Sequence, residues 1–373
     1  MSPLDQITLR EIRLPLREPF RISSGSVSER RITLLELRDA DGIVAWSEGV
    51  APEEPNYREE AIDTAWTAIS QWVVPRVLGR AFAHPRDVYA VLEQDFRGNF
   101  MAKAAVEMGM WVLEAMRQGV PLATLLGGTR SAIATGISLG IQSSPEALVD
   151  KASAAVAQGY RKVKIKIAPG QDVAYVRAVR EALGPDAPLM ADANNAYTLA
   201  DAGLLAQLDD LDLMMIEQPL AWDDIVQHAS LQRQLRTPLC LDESITSVDS
   251  ARNMVTLDAG RIINIKPGRV GGFASSLAIH DYCVSAGVPV WCGGMLESGI
   301  GRACNVALAS LPGFTKPGDL SPSSRYWAQD IVSPEWTMTA DGMVPVPLDR
   351  PGLGVTVNVD RIDDLTVRRV VLR

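Results

Sequence analysis

Histidine and cysteine, which most often hold zinc in proteins, are scarce in this sequence of 373 residues, with three histidines and four cysteines. The cysteines have neither a CxxC spacing nor the pattern of a disulfide framework; they are Cys240, Cys283, Cys292 and Cys304. This scarcity argues against a zinc site and against a small secreted scaffold held by disulfides. We therefore expect a reducing, cytoplasmic compartment, with Cys240 and Cys292 as small core residues.

Long apolar runs are also missing. No stretch of about 18 consecutive apolar residues is present, so no membrane-spanning helix is expected. The first residues carry charges at Asp5, Arg10, Glu11 and Arg13 in place of the apolar segment of a secretory signal. The sequence therefore predicts a protein that neither crosses a membrane nor is exported.

Positive charge is in deficit, since the formal net charge is -9 and no basic run occurs. Nucleic acid and anionic membrane surfaces are therefore not expected as partners. An anionic small-molecule substrate would have to be bound by a few local cations.

Apolar sequence, by contrast, is plentiful. Hydrophobic residues make up 47% of the chain, which excludes extensive disorder. The length fits one α/β barrel of about 250 residues plus a smaller domain. We predict a capping domain over residues 1–128, a barrel over 129–325 and a tail over 326–373 that packs back on the capping domain.

The first 128 residues have the pattern of an antiparallel meander followed by helices. Strands are predicted over 7–14, 31–38 and 44–50, and helices over 59–74, 85–92 and 102–117. Residues 18–25 are predicted to be a mixed loop, either an ordinary surface loop or one that covers a site.

Five short apolar segments then recur within residues 161–272, and each ends in an ionisable side chain. These end residues are Lys166, Asp192, Glu217, Asp242 and Lys266, separated by 24 to 26 residues. A strand, a crossover helix and two turns need roughly 30 residues. The repeat therefore predicts five consecutive parallel strands, whose carboxyl ends form the face on which barrel enzymes carry their active sites.

Strand geometry assigns chemistry to the five side chains. Neighbouring strands lie ~4.8 Å apart, so Asp192, Glu217 and Asp242 can converge on one cation. Carboxylates without histidine or cysteine favour Mg²⁺ or Mn²⁺. Lys166 and Lys266 are expected on the second and sixth of eight strands, facing each other across the barrel mouth. That arrangement suits removal of a proton from a carbon next to a carboxylate.

Simpler interpretations apply to several of these residues. Asp242 could cap the next helix, although capping does not explain a repeat of acids flanked by lysines. Lys162 is predicted to be a solvated surface lysine, whereas Lys164 has the strand parity of Lys166 and should point into the barrel. Arg269 could lower the pKa of Lys266 or could simply pair with an acidic neighbour.

The rest of the chain is expected to complete the barrel. Further strands are predicted over 132–141, 288–292 and 314–318, with crossover helices at 144–159, 172–183, 199–208, 223–235, 248–257, 273–286 and 300–311. No eighth helix is evident.

The motifs at these strand ends resemble those of the enolase superfamily, muconate-lactonizing subgroup. They are Lys164-Ile-Lys166, Asp192-Ala-Asn194, Ile216-Glu-Gln-Pro219, Leu241-Asp-Glu-Ser244 and Asn264-Ile-Lys266. Narrower signals are similar to the N-acylamino acid racemase and o-succinylbenzoate synthase family; they span 218–224, 291–302 and 325–327.

The resemblance implies a (β/α)₇β barrel, a modified TIM barrel, under an α+β capping domain made from both chain ends. It implies Mg²⁺, replaceable by Mn²⁺ or Co²⁺, on Asp192, Glu217 and Asp242, with Lys166 and Lys266 as an acid/base pair acting through an enediolate. Further positions are implied in substrate binding: Lys164, Asn194, Ser138, Phe20, Tyr57, Met295 and Leu296. Arg269 and Glu243 would modulate the pair, and a homo-oligomer of two to eight subunits is implied.

The family implies racemisation of N-acylamino acids, specifically N-succinylamino acids, together with o-succinylbenzoate synthase activity. A dipeptide epimerase or cycloisomerase is the alternative within the superfamily, although residues 318–322 lack the paired Asp-x-Asp expected for binding a dipeptide amine. Two other classes remain open: a barrel enzyme whose lysine forms a Schiff base, and a non-catalytic binding protein.

Overall fold

Three antiparallel strands open the chain in the computed structural model, which describes residues 1–22 and 25–373. They are β1 (Leu4–Ile22), β2 (Gly25–Asp39) and β3 (Val44–Gly49). The prediction of a loop over 18–25 is wrong for residues 18–22 and Gly25, which continue the two strands as a long hairpin. Alternation of apolar and polar side chains is lost around Pro15–Phe20, where the pairing shifts register, and this concealed the strand. Ser23 and Ser24 lie outside the described residues.

Helices cover one face of this sheet. They are α1 (Ile62–Ala68), α2 (Val74–Val77), α3 (Arg86–Glu93), α4 (Phe100–Gln118) and α5 (Leu122–Leu126), with a π-helical turn over Ile69–Val73. Fourteen residues of α4 are buried, because its Ala- and Met-rich surface packs between β3 and the other helices.

Parallel strands form the second sheet. They follow a short separate strand, β4 (Ala132–Ala134), and are β5 (Ile137–Leu139), β6 (Val163–Lys166), β7 (Leu189–Asp192), β8 (Ile216–Glu217), β9 (Leu239–Leu241), β10 (Ile262–Ile265) and β11 (Val290–Cys292). The seven from β5 to β11 pair in chain order, which confirms the predicted barrel architecture. The predicted first strand over 132–141 is in fact two strands, and β4 pairs outside this sheet.

Crossover helices surround the barrel strands. They are α6 (Pro145–Ala157), α7 (Val173–Leu183), α8 (Ala202–Leu205), α9 (Val226–Gln232), α10 (Val248–Leu257), α11 (Phe273–Ala286) and α12 (Gly299–Ala309). The predicted bounds of α10 and α11 are confirmed without change. Short 3₁₀ turns flank α8, so the single helix predicted there is wrong.

The predicted eighth strand is also wrong, because residues 314–318 make only isolated bridges. Phe314 bridges to Val290, and Gly318 bridges to Thr135. These two contacts close the barrel between its last and first strands.

Strand parity separates the barrel interior from its outer surface. Val163 and Ile165 point outward into the core beneath the helices, so the alternating lysines of the same segment point inward. Lys162 belongs to this inner set and is fully buried, which makes the prediction of a solvated lysine wrong. Its ammonium lies 3.5 Å from the centre of the Trp291 ring.

The last part of the chain returns to the N-terminal sheet and to β4. Its elements are β12 (Val332–Ser333), β13 (Met343–Pro345), β14 (Thr356–Val357), α13 (Val359–Leu365) and β15 (Thr366–Leu372), after a 3₁₀ turn at Ser323–Arg325. β13 pairs with β4, and β15 joins the N-terminal sheet in the order β15-β1-β2-β3. Within the described ranges, no helix is both long and apolar enough to span a membrane.

Candidate active site

All five strand-end residues predicted from the repeat lie at one end of the barrel sheet. Lys166 is paired with Asp192, and Asp192 with Glu217, in the register of β6, β7 and β8. Asp242 directly follows β9, and Lys266 directly follows β10. Every one of these side chains is buried, which is costly for charged groups unless they are paired.

Lys166 is held at one side of this acidic row. Its ammonium donates to Oδ2 of Asp192 at 2.6 Å and also contacts Asn194. Burial alone would raise the pKa of Asp192, but the charges of Lys166 and Lys164 outweigh burial and hold this pKa below its ordinary value.

Lys266 is held in a similar way at the other side. Its ammonium donates to Oδ2 of Asp242 at 2.7 Å and to the hydroxyl of Tyr57 at 3.2 Å. Burial is the largest single influence on the pKa of Lys266 and would lower it, but the charges of Asp242, Tyr57 and the neighbouring glutamates together outweigh burial and raise this pKa. A side chain at Gly293 would exclude this geometry, because an added Cβ would lie 2.6 Å from Cε of Lys266.

Arg269 shares the carboxylate of Asp242 with Lys266. It pairs closely with Oδ1 of Asp242 and donates to the hydroxyl of Tyr57 at 3.3 Å. The rest of its guanidinium donates to the backbone oxygens of Ile245 and Asn264. Arg269 is therefore buried and paired with an acid, and the hydroxyl of Tyr57 links it to Lys266.

Glu217 lies between the two lysine-bound aspartates. It accepts hydrogen bonds from Lys164 at 3.1 Å and from Nδ2 of Asn264 at 2.7 Å. Its pKa is raised well above the ordinary value, first by burial and then by the charge of Asp192. Crowding of carboxylates in a buried row favours a multivalent cation among them.

The fit of a divalent cation rests on this donor set. Asp192, Glu217 and Asp242 supply hard oxygens from adjacent strand ends, as such an ion requires. Throughout residues 1–22 and 25–373, however, no group of three His, Cys, Asp or Glu side chains is already arranged as a metal site. Ammonium groups now contact these acids, and a bound cation would have to displace some of those contacts.

Glu243 is the fourth acid of the row. Its Oε1 accepts from Nδ2 of Asn194 at 3.2 Å, and its pKa is raised to about 7, first by burial and then by the neighbouring Asp242. Asn194 therefore contacts both Lys166 and Glu243.

A cavity of about 440 Å³ and a smaller one of about 60 Å³ border the row and share part of their lining. Lys166 and Lys266 line both. The other predicted substrate-binding residues line one or both of them: Phe20, Tyr57, Ser138, Lys164, Asn194, Met295 and Leu296. Their roles remain predictions, but the structure brings all of them to one place. The Oγ of Ser138 is buried without a hydrogen-bond partner among the described residues.

Four residues near the site were given no individual role from the sequence, although Asn264 and Tyr326 lie within motifs quoted above. Asn264 donates to Glu217. Asp319 and Tyr326 line the smaller cavity. Arg58 donates to the backbone oxygen of Glu243 at 2.7 Å. Asn264 could have been found, because it lies two residues before Lys266 and shares its strand parity. The others come from loops remote in sequence.

Two family models match the chain. The model described as mandelate racemase / muconate lactonizing enzyme, N-terminal domain, matches residues 5–127. The model described as enolase C-terminal domain-like matches residues 147–361. Together they cover most of both sheets.

Curated relatives are similar over nearly the whole length. An o-succinylbenzoate synthase of Geobacillus kaustophilus is 47% identical, covering 97% of this chain and 96% of the relative. An N-succinylamino acid racemase of Thermus thermophilus is 47% identical, covering 98% and 97%. A solved enolase-superfamily structure from Listeria innocua is 40% identical with a TM-score of 0.96, covering 100% of this chain and 99% of that one.

Proposed function

Because this chain belongs to the enolase superfamily, we propose that it racemises N-succinylamino acids and also catalyses the o-succinylbenzoate synthase dehydration. Two relatives of equal identity carry these two names, which supports a chain able to do both reactions. The finer choice of substrate is our proposal.

The observation that carries the proposal is the pair of buried lysines bordering one cavity. Lys166 and Lys266 lie on β6 and just after β10, with three strands between them. Each is bound to the aspartate on its own side of the row. A carbon acid seated between them has one amine facing each side.

The residues of the chain supply the proton transfers. One lysine removes the proton from the α-carbon, breaking the C–H bond and forming an N–H bond. The opposite lysine then donates one of its own protons to the same carbon from the other face, which inverts it. In the dehydration, the same removal is followed by cleavage of the C–O bond on the neighbouring carbon, and the hydroxide leaves as water with a proton taken from a lysine.

Asp192, Glu217 and Asp242 would hold a divalent cation, which we propose to be Mg²⁺, with Mn²⁺ or Co²⁺ as substitutes. When bound, such an ion stabilises the negative charge that develops on the substrate carboxylate. Lys164 and Asn194 would orient the same carboxylate. Ser138, Phe20, Tyr57, Met295 and Leu296 would enclose the remainder of the substrate, as their place in the cavity lining supports.

A substrate panel tests the proposal. Purified protein should racemise N-succinylamino acids and form o-succinylbenzoate from its precursor. EDTA should abolish both activities, and added Mg²⁺ should restore them. Racemisation of dipeptides in place of N-succinylamino acids would favour an epimerase, and metal-independent trapping by borohydride would favour a Schiff-base enzyme. No turnover of any acid would contradict the proposal.

A further inference from the structure

Beneath the row of acids, the barrel interior holds Lys162, a buried lysine that, like Lys164, takes no part in the proposed proton transfers. Lys162 is fully buried and lies one inward step below Lys164 on the same strand segment. Its ammonium sits over the Trp291 ring at 3.5 Å, within cation–π range. A buried ammonium needs a charge partner to persist.

Asp319 is that partner, and it binds both lysines at once. Its Oδ1 lies 3.0 Å from Nζ of Lys162, an ion pair without hydrogen-bond alignment. Its Oδ2 lies 2.5 Å from Nζ of Lys164. The carboxylate is thus fixed between two ammonium groups, one facing the cavity and one facing the barrel floor.

The backbone of Asp319 is fixed as well. Its N–H donates to the carbonyl oxygen of Cys292 at 2.9 Å, and its own carbonyl accepts from Nη1 of Arg302 at 2.8 Å. The next residue, Leu320, donates to Oγ1 of Thr135 at 3.2 Å. Asp319 is therefore anchored where the barrel closes.

Lys164 also contacts two acids of the row. Its Nζ lies 3.1 Å from Asp192 and 3.1 Å from Glu217. Both acids are proposed metal ligands, so a bound dication would compete for them and repel the ammonium. Asp319 is the carboxylate on Lys164 that lies outside the ligand set.

We propose that Asp319, supported from below by Lys162, is a positioning residue that holds Lys164 against the substrate carboxylate. The inference rests on the proposed function and deepens it. Lys162 occupies the far oxygen of Asp319, which keeps this carboxylate from turning toward the cation or the substrate.

Asp319→Asn and Lys162→Met test the proposal, with Lys103→Met as the matched control. Lys103 is also a fully buried lysine, 2.5 Å from Glu93 and 4.8 Å from the Phe96 ring, but it lies in the N-terminal helices. The assay measures kcat and KM for both enantiomers of N-succinylphenylalanine with Mg²⁺, together with α-proton exchange in D₂O.

We expect Asp319→Asn to raise KM about 10- to 100-fold, the range for a lost hydrogen bond to a charged group. Exchange should fall by the same factor for both enantiomers, because Lys164 acts on the carboxylate and not on one face of the carbon. Lys162→Met should have a smaller effect in the same direction, and Lys103→Met should leave KM unchanged. An unchanged KM in Asp319→Asn, or loss of exchange for one enantiomer alone, would overturn the proposal.

A double variant and a crystal structure separate this proposal from other failures. Asp319→Asn with Lys162→Met removes a buried charge of each sign, so it should regain thermal stability over the single variants while KM stays high; recovery of KM would contradict positioning. In a crystal of Asp319→Asn with Mg²⁺, Lys164 should move by about 1 Å or more, a displacement large enough to impair catalysis. An unmoved Lys164 would contradict the inference, whatever the wild type turns over. Absence of turnover of N-succinylamino acids by the wild type would contradict only the proposed function.

Discussion

The two ammonium groups of the cavity have closely similar environments. Lys166 lies 2.6 Å from an oxygen of Asp192, and Lys266 lies 2.7 Å from an oxygen of Asp242. Each lysine has an amide or phenol as a second neighbour, Asn194 or Tyr57. This near-symmetry is what a reaction requires when it must run in both directions at one carbon.

Replacing either lysine should therefore stop racemisation but leave α-proton exchange intact for one of the two enantiomers. We expect Lys166→Ala and Lys266→Ala each to abolish conversion of one enantiomer into the other. Each variant should still exchange the α-proton of the enantiomer that faces its remaining lysine, as NMR in D₂O would measure. Racemase rates equal to wild type in either variant would rule out the two-base scheme.

Arg269 should affect the two reactions unequally. It shares Asp242 with Lys266, so its removal changes the charge around that lysine more than around Lys166. In the proposed scheme racemisation uses both lysines as base and acid in turn, and we expect Arg269→Ala to reduce it about tenfold more than the proposed dehydration. Parallel measurement of both activities checks this, and equal losses would remove any special role for Arg269.

At the scale of single residues, sequence spacing was enough to find the five strand-end groups, since the interval between strands is set by local geometry. It was not enough for Lys162. Whether an inward lysine is tolerated depends on a partner, and Asp319 and Trp291 come from much later in the chain. Spacing within one segment carries no information about such a partner.

Among the elements, the irregular segment between β3 and α1 brings the capping region onto the barrel. Arg58 stacks over the Trp222 ring at 4.3 Å and donates to the backbone oxygen of Glu243 at 2.7 Å. The preceding residue, Tyr57, then reaches Lys266 and Asp242. Arg58 thus fastens this segment to two barrel loops.

Loss of the contacts that Arg58 makes with Trp222 and Glu243 should weaken catalysis more than it weakens the stability of the fold. We expect Arg58→Ala to lower kcat/KM about tenfold, and Arg58→Lys to recover little, because an ammonium cannot stack as a planar guanidinium does. Arg76→Ala is the control: Arg76 makes the same kind of contacts, over Phe96 at 5.3 Å and to the Gln94 oxygen at 2.8 Å, away from the cavity. Similar kcat/KM losses in both alanine variants would contradict the assignment.

Elements with strong local signals were predictable, and those set by pairing were not. The bounds of α10 follow from its apolar periodicity and its Ser247 cap, whereas those of α11 follow from the glycines at its two ends, Gly272 and Gly287. The far end of β1, by contrast, is held in a strand by its pairing with β2 in spite of Pro15 and Pro19. The segment 314–318 contains Pro317 and Gly318, which disfavour a strand, and it makes only isolated bridges in place of a ladder.

Across the whole molecule, two buried glutamates from the N-terminal region cap helices of the barrel. Glu48 of β3 accepts from the backbone of Ser298 and Gly301 at the start of α12. Glu107 of α4 accepts from the backbone of Phe273 at 2.7 Å and of Ala274 at 2.9 Å at the start of α11. These contacts satisfy orphan N–H groups, and they join the two regions. No spacing rule could have matched either glutamate to its helix.

Glu107 should make stability depend on pH. Burial raises its pKa to about 7 from an ordinary 4.5, against the pull of its hydrogen bonds. Because the folded state binds the proton more tightly, the contribution is fully present below pH 4.5 and is lost as pH rises through 7. The free energy of unfolding that Glu107 contributes and then loses is ~3 kcal/mol, since one pKa unit corresponds to about 1.4 kcal/mol.

Urea unfolding at pH 5 and pH 8 measures this effect. We expect Glu107→Gln to lose less of its free energy of unfolding between these pH values than the wild type does. Glu146→Gln serves as the control, because Glu146 is exposed at the start of α6 and its pKa is lowered by hydrogen bonds to its own backbone and to Ser144. An unchanged pH slope in Glu107→Gln would contradict the prediction.

The position of β15 beside β1 has a consequence for synthesis of the protein. Until residues 366–372 have emerged, one side of β1 offers unpaired N–H and C=O groups to any other strand nearby. Because the whole barrel lies between β1 and β15 in the sequence, β1 stays in that state while the barrel is being made. The nascent chain therefore needs this edge to be shielded, and stalled or shortened products should be the forms most prone to aggregate.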